Sequence, residues 1–240
     1  MKTICLIDAD SMCYIGGSCE EVEQAYDKVD DSLVNIISTS GASHYTIFVE
    51  KPYNNNFRKK IVKSYKIGRV NKELPKFYNE IKEYLIGSWN AYGLGGYESD
   101  DVLISYYKKC KDEYPFTDVV IASMDKDLKQ YPITMFDTYY QRFGQVYIIS
   151  EDEANYNLWT QVIMGDSTDS ISGINGKGSK YAESVLKDSK NHFMTTCRAY
   201  RKNYGSRWQK NLIKNYVQVR LLDNLNVKLK LEEALYEEGK

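Results

Sequence analysis

Apolar residues follow two alternating rhythms along this chain. The run TICLI within residues 3–9 and the alternating HYTIFVE at 44–50 have the short-period character of strands. Between them, from about 19 to 38, apolar side chains recur at helical spacing until Gly41 ends the pattern. A second helix is expected from near Pro75, which suits a first-turn position, to about Ile86, and a third from Glu98 to about Lys111. DVVIAS (118–123), ITMFD (133–137) and residues 145–149 read as further strands, the last a return strand. This alternation predicts an α/β fold with a mostly parallel central sheet flanked by helices. From about Glu151 the pattern becomes helices joined by glycine-containing turns, with Trp208, Leu212, Val219 and Leu222 as candidate core positions. An α/β core over 1–150 and a helical subdomain over 151–240 are therefore expected. Residues 51–72 are basic and aromatic, with Pro52 and three successive Asn, and read as a long loop or arch with some helix.

Length and composition narrow the class. The chain has 240 residues, 42% of them apolar, enough for one sizeable core with a small appendage. No run approaches the roughly 18 apolar residues of a membrane span, and the N-terminus lacks a signal-peptide layout. Five scattered cysteines suggest reduced thiols in a cytoplasm, with neither a disulfide framework nor a zinc site. Two histidines, His44 and His192, argue against histidine-based chemistry. A cytoplasmic monomer is expected.

The chemistry lies in the acids. Asp8, the group Glu98, Asp100 and Asp101, the pair Asp125 and Asp127, and the pair Asp166 and Asp169 all adjoin apolar runs. Carboxylates at the ends of core elements need a counter-charge, and hard divalent cations with oxygen ligands supply it most simply. Asp8 and Asp125 would point beyond the carboxyl ends of their strands, where open parallel sheets bind ligands. On a helix starting at 98, Glu98 and Asp101 share a face and Asp100 faces elsewhere; helix capping would account for one of these acids, but not for three within four residues. Two Mg2+ or Mn2+ ions about 4 Å apart would suit so many oxygens and would serve hydrolysis at phosphorus.

Charge distribution points to nucleic acid. The net charge is −1, yet Lys51–Lys72 holds eight basic residues and no acid, and Lys177–Arg220 holds eleven against Glu183 and Asp188. Such segments are an electrostatic footprint for phosphates. Candidate contacts are Arg58, Lys59 and Lys63 in the first segment, and Lys177 and Lys180 in the second. The turn bearing Gly173, Gly176 and Gly178 would let backbone N–H groups approach a phosphate.

Together these motifs resemble the 5′-nuclease superfamily of flap endonucleases and 5′-to-3′ exonucleases. LIDAD matches its first-strand aspartate motif, FRKKIVKSYKIGR (57–69) its arch segment, and YESDDVL its Glu-x-Asp-Asp motif. SMDKDLKQ is similar to its Asp-Lys-Asp-Leu motif, and MGDSTDSISGINGKGSKYA to its Gly-Asp-x-x-Asp and helix-hairpin-helix block. The matches run in order from residue 4 to about 186, and length and block order are most like the exonucleases of T-odd bacteriophages. The resemblance implies a PIN-like core, a helix-hairpin-helix at about 160–188, and a DNA partner with a free 5′ end (duplex, flap or RNA–DNA hybrid). It also implies Lys66 and Arg69 as the residues that steer the scissile phosphate, and a K+ ion at the hairpin. The setting implied is phage replication, primer removal or recombination, among replication proteins. Tyr53, Phe57 and Tyr65 would stack on unpaired bases, or pack the arch locally. Where the family usually has Asp, this chain has Glu50, which would reach a metal through its longer side chain or a water. Asp10 stands where other polar residues are usual and is expected behind the metal ligands. The family's Asn-Pro-Gly turn reads Ser-Ile-Ser-Gly at 170–173.

Three other readings remain open on the residues alone. A PIN-type ribonuclease would share the acids but not need the hairpin. A DNA-binding module without chemistry would gain nothing from acids that repel phosphate. A haloacid-dehalogenase phosphatase would fit Asp8-Ala-Asp10, but its Gly-Thr does not follow.

Overall fold

The computed structural model describes residues 2–52, 55–70 and 72–225. Five strands, β1 (Thr3–Asp8), β2 (His44–Phe48), β3 (Asp118–Ser123), β4 (Thr134–Asp137) and β5 (Val146–Ile148), form one sheet in the order β2-β1-β3-β4-β5. The first four are parallel and only β5 returns antiparallel. Ile7 pairs with Ile47 on one side and Ala122 on the other, so the carboxyl ends of β1, β2 and β3 lie at one edge. Both faces of β1 are covered, and Cys5, Leu6 and Ile7 are fully buried, as a central parallel strand requires.

Helix α1 (Val22–Thr39) turns Ala25, Val29, Leu33 and Ile36 onto one face of the sheet, and α3 (Tyr78–Ser88) packs Ile81 and Leu85 beside them. On the other face α4 (Ser99–Glu113) lays Val102, Leu103 and Ile104 against Leu6, Phe48 and Ile121. Full burial of each such side chain contributes about 1.5–3 kcal/mol. Helices α5 (Glu151–Met164), α6 (Ser179–Leu186), α7 (His192–Tyr204) and α8 (Trp208–Val219) gather around Val162, Ile163, Ile174 and Tyr200 as a separate packing cluster. Leu212 and Val219 are buried within it, whereas Trp208 is only half-buried at its margin and Leu222 packs apart from it.

Two departures from the expected elements occur. A 3-10 helix over Asp10–Ser18, not anticipated, follows β1 directly. Helix α3 begins at Tyr78 rather than near Pro75, because Phe77 takes a left-handed backbone (φ 62°) and breaks the path from the proline. The basic segment after β2, expected as a loop or arch with some helix, carries short helices among its described residues and is packed down onto the protein. Short helix α2 (Phe57–Ile61) buries Phe57 and Arg58, and Val62 and Tyr65 join the α5–α8 cluster. The segment is thus a strap tying the sheet to the helical half.

Candidate active site

A cavity of about 730 Å3 opens at the carboxyl edge of the sheet, between the strap, the start of α4 and the loop after α5. Asp8 ends β1, Glu50 follows β2, and Asp125 and Asp127 follow β3, so parallel register alone brings three acid-bearing segments to one rim. Ser123 joins two of them. Its hydroxyl donates to Asp8 (2.8 Å) and accepts the Asp125 N–H (2.9 Å). The Asp125 carboxylate in turn accepts the Asp127 N–H at 2.7 Å and caps the 3-10 helix Lys126–Gln130. Gln161 of α5 donates to Asp127 at 2.8 Å.

These carboxylates repel one another. Burial, together with Asp10 and Asp125, pushes Asp8 up to about 7. Burial and the Asp125 charge push Asp127 to about 7, and Asp100 is raised well above the ordinary range by burial and by Asp8 and Asp125. Among the described residues no Lys or Arg nitrogen lies within 4 Å of Asp8, Asp100, Asp125 or Asp127. Nor do any three acids converge into a closed ligand cluster among those residues. Crowded oxygens with an unmet charge, on segments that still stand apart, fit a site completed by hard divalent cations.

The opposite wall is already neutralised. Glu98 accepts from Lys66, from the Tyr65 hydroxyl (2.9 Å) and from Arg58 (3.1 Å). Burial alone would raise its pKa, but Lys66 and Arg58 hold it down near 2. Asp169 pairs with Arg69 and stands 3.7 Å from Lys66, while its backbone oxygen accepts the Lys66 N–H. Its pKa nonetheless stays raised by burial. Burial would raise Asp166, but its pair with Lys126 at 3.1 Å and the N–H groups of Thr168 and Asp169 together lower it.

Placement alters several expectations. Asp100, not Asp101, faces the cavity. Asp101 is fully buried and takes a bidentate pair from Arg58 (2.6 and 2.7 Å), so it is a structural acid rather than a metal ligand. Glu98 and Asp101 share a face, as expected, joined by a capping box and by Arg58, while Asp100 faces elsewhere; it is that other face that meets the cavity. Arg58 is likewise buried completely and cannot meet DNA. Phe57 and Tyr65 are buried too, so neither is a base platform; Tyr53 lies outside the described residues. Exposed Lys59 and Lys63 remain on the strap surface.

In the glycine-rich turn, Gly173 is buried at φ 59°, and a Cβ there would press into the backbone of Met164 and Gly165. Its carbonyl accepts from Asn215 (2.9 Å) and Tyr204 (3.2 Å), so it shapes the turn rather than meeting phosphate. Gly176, Gly178 and Lys180 are exposed, and Lys177 lies over the Tyr181 ring. Residues not anticipated at the cavity include Ser99, Gln161 and Tyr14, the last 56% exposed at its rim, with Ser123 buried behind Asp8 and Asp125. Their signal in the sequence is only adjacency to the acid motifs.

Residues 19–154, more than half of the chain, match the family described as "5'-3' exonuclease, N-terminal resolvase-like domain". The chain belongs to this 5′-3′ exonuclease family. A curated 5′-3′ exonuclease of Mycoplasmopsis pulmonis is 28% identical over 196 residues, which is 75% of this chain and 65% of that protein. The chain thus spans less than two thirds of that relative. A bacteriophage T5 flap endonuclease, solved as a pseudo-enzyme–product complex with DNA and metal ions, superposes with a TM-score of 0.70 at 18% identity, covering 98% of each chain. The catalytic core of Rad2 with DNA substrate gives a TM-score of 0.51 at 10% identity, over 98% of this chain and 78% of that one. At such identities these two structures establish the fold: a mostly parallel five-stranded sheet with a helical C-terminal region. None of the helices among the described residues is long and apolar enough to cross a membrane.

Proposed function

We propose that this exonuclease-family chain is a metal-dependent 5′ nuclease that hydrolyses DNA phosphodiesters near a free 5′ end, as an exonuclease or flap endonuclease. The observation that carries the reading is the cavity's asymmetry. Asp8, Asp100, Asp125 and Asp127 stand without a basic partner among the described residues, while Lys66 and Arg69 wait across the same space.

Asp8, Asp100 and Asp125 would hold one Mg2+ or Mn2+, with Glu50 within the same rim. Asp127, Asp166 and Asp169 would hold a second, in competition with Lys126 and Arg69. Two such ions would supply Lewis-acid activation of water and stabilisation of the leaving oxygen. The chain's own residues do the rest. Lys66 and Arg69 offer N–H donors to the oxygens of the scissile phosphate and exchange their present acid partners for it. Buried Glu98, held ionised by Arg58 and Tyr65, keeps Lys66 protonated and aimed into the cavity.

Outside the cavity, exposed Lys59 and Lys63 and the Gly176–Lys180 turn offer positive charge and backbone N–H groups to duplex phosphates. A helix-hairpin-helix there, with a K+ ion on its carbonyls, is part of this reading. So are a boundary near residue 150, a cytoplasmic monomer, and a role in phage replication or primer removal beside other replication proteins. The test is hydrolysis of duplex and flap DNA with and without Mg2+, in the wild type, Asp125→Ala and Asp166→Ala. Both variants should lose cleavage yet bind DNA; Mg2+-dependent cleavage retained in both refutes the metal assignment.

A further inference from the structure

Lys82 is a lysine in the wrong place for solvent. It lies on the core-facing side of α3 between Ile81 and Leu85 and is 4% exposed. Lysine is almost never buried this deeply unless it is paired. Its ammonium sits 3.8 Å from an Asp10 carboxylate oxygen and 5.0 Å over the Tyr78 ring. Burial works against its charge, but Asp10, Tyr78 and Glu50 outweigh burial and leave its pKa raised, so it stays an ammonium.

Asp10, the second acid of the LIDAD motif, is where three acid-bearing segments meet. One carboxylate oxygen accepts the Glu50 N–H at 2.9 Å, fixing the segment after β2. The other accepts the Ser99 hydroxyl, fixing the start of α4 between Glu98 and Asp100. Its own N–H donates to Asp8 at 3.3 Å, at the end of β1. Asp8 and Asp100 both feel its charge. Without a cation behind it, Asp10 would add a further negative charge to an already crowded rim.

We infer that buried Lys82 and the part-buried Asp10 at the cavity wall form a positioning pair that sets the spacing of Asp8, Glu50 and Asp100 and thereby the divalent-metal affinity of the cavity. The inference rests on the nuclease reading above. Lys82 does not line the cavity and acts chiefly through Asp10, its ion-pair partner, while Glu50 also feels its charge. Partners that orient ligating carboxylates typically change metal affinity about 10–100-fold when removed.

The test is Mn2+ binding to the metal-free protein, followed by calorimetry and by the electron paramagnetic resonance of free Mn2+, so that no turnover is needed. The variants are Lys82→Met, Lys82→Arg, Asp10→Asn, Ser99→Ala and the Asp10→Asn/Lys82→Met double, each checked for folding by circular dichroism. Lys82→Met and Asp10→Asn should each weaken Mn2+ binding at least about tenfold. Lys82→Arg should retain most of the affinity, and the double variant should bind no worse than Asp10→Asn. Ser99→Ala removes one strut without touching the buried charge and should also weaken binding, which keeps the test sound if Lys82→Met folds poorly. Unchanged or tighter Mn2+ binding by folded Lys82→Met, or additive losses in the double variant, overturns the positioning role alone. No Mn2+ binding by the wild type overturns the nuclease reading, and this inference with it.

Discussion

Replacing Arg58 by Met tests whether this residue clamps the fold or meets DNA. Its guanidinium is fully buried and binds Asp101 through two nitrogens, Glu98 at 3.1 Å, and the carbonyls of Arg220 (2.6 Å) and Val217 (3.3 Å). It therefore joins the strap, the start of α4 and the end of α8 at one point. The substitution strands the Asp101 carboxylate in a site with no solvent access, leaving it the Leu222 N–H at 2.8 Å and a long bond from the Glu98 N–H. Removing one partner of a buried pair costs about 3–5 kcal/mol. For a chain of this size that lowers the melting temperature by roughly 6–20 °C. Asp101→Leu in the same chain should recover part of the loss, because an apolar pair replaces a broken ionic one. Urea and thermal unfolding of the metal-free wild type, both single variants and the double variant would supply the cycle. A loss below about 1 kcal/mol for Arg58→Met, or additive losses in the double variant, would refute the clamp.

The raised carboxyls predict an unusual pH response. Folded Asp8 and Asp127 titrate near 7, against about 3.9 in an unfolded chain, so the folded state binds more protons between these values. Metal-free stability should fall as pH rises from about 4 to about 7, and Mg2+ should cancel the fall. Glu98 works in the opposite sense, its contribution lost only as pH drops from about 4.5 towards 2. Thermal scans between pH 4 and 8 with EDTA or Mg2+ read this directly; a metal-free melting temperature that climbs across the window contradicts it. Lys66→Ala should slow single-turnover cleavage by about 10²–10³ while leaving duplex affinity nearly unchanged, and an unaltered rate would remove Lys66 from the reacting phosphate. Gly173→Ala should destabilise by more than about 1 kcal/mol and weaken duplex binding, since φ 59° and the backbone of Gly165 leave no room for a Cβ. Filter binding and unfolding measured together would expose an unaffected variant.

Much of this was legible because the cues are local and periodic. The four parallel strands follow from apolar runs of four to eight residues, and their common carboxyl edge follows from parallel pairing, so Asp8 and Asp125 were readable as neighbours across the long separation in sequence. The choice between Asp100 and Asp101 was not, because periodicity separates their faces without saying which one Arg58 fills and which one meets the cavity. Arg58 reads as a surface cation within a basic run; only its long-range partners, Asp101, Val217 and Arg220, draw it inside. Lys82 did leave a trace, a charge on the apolar face of α3, but its meaning needed Asp10 beside it.

The central claim is metal-dependent hydrolysis that starts from a free 5′ end. It is tested most directly by incubating the protein with 3′-labelled duplex and flap DNA, with the 5′ end free or blocked by a bulky adduct, in Mg2+ and in EDTA. Cleavage near the free 5′ end in Mg2+, none in EDTA, and strong inhibition by the block are expected. Cleavage that persists in EDTA, or products distributed through the duplex regardless of the block, would contradict the claim.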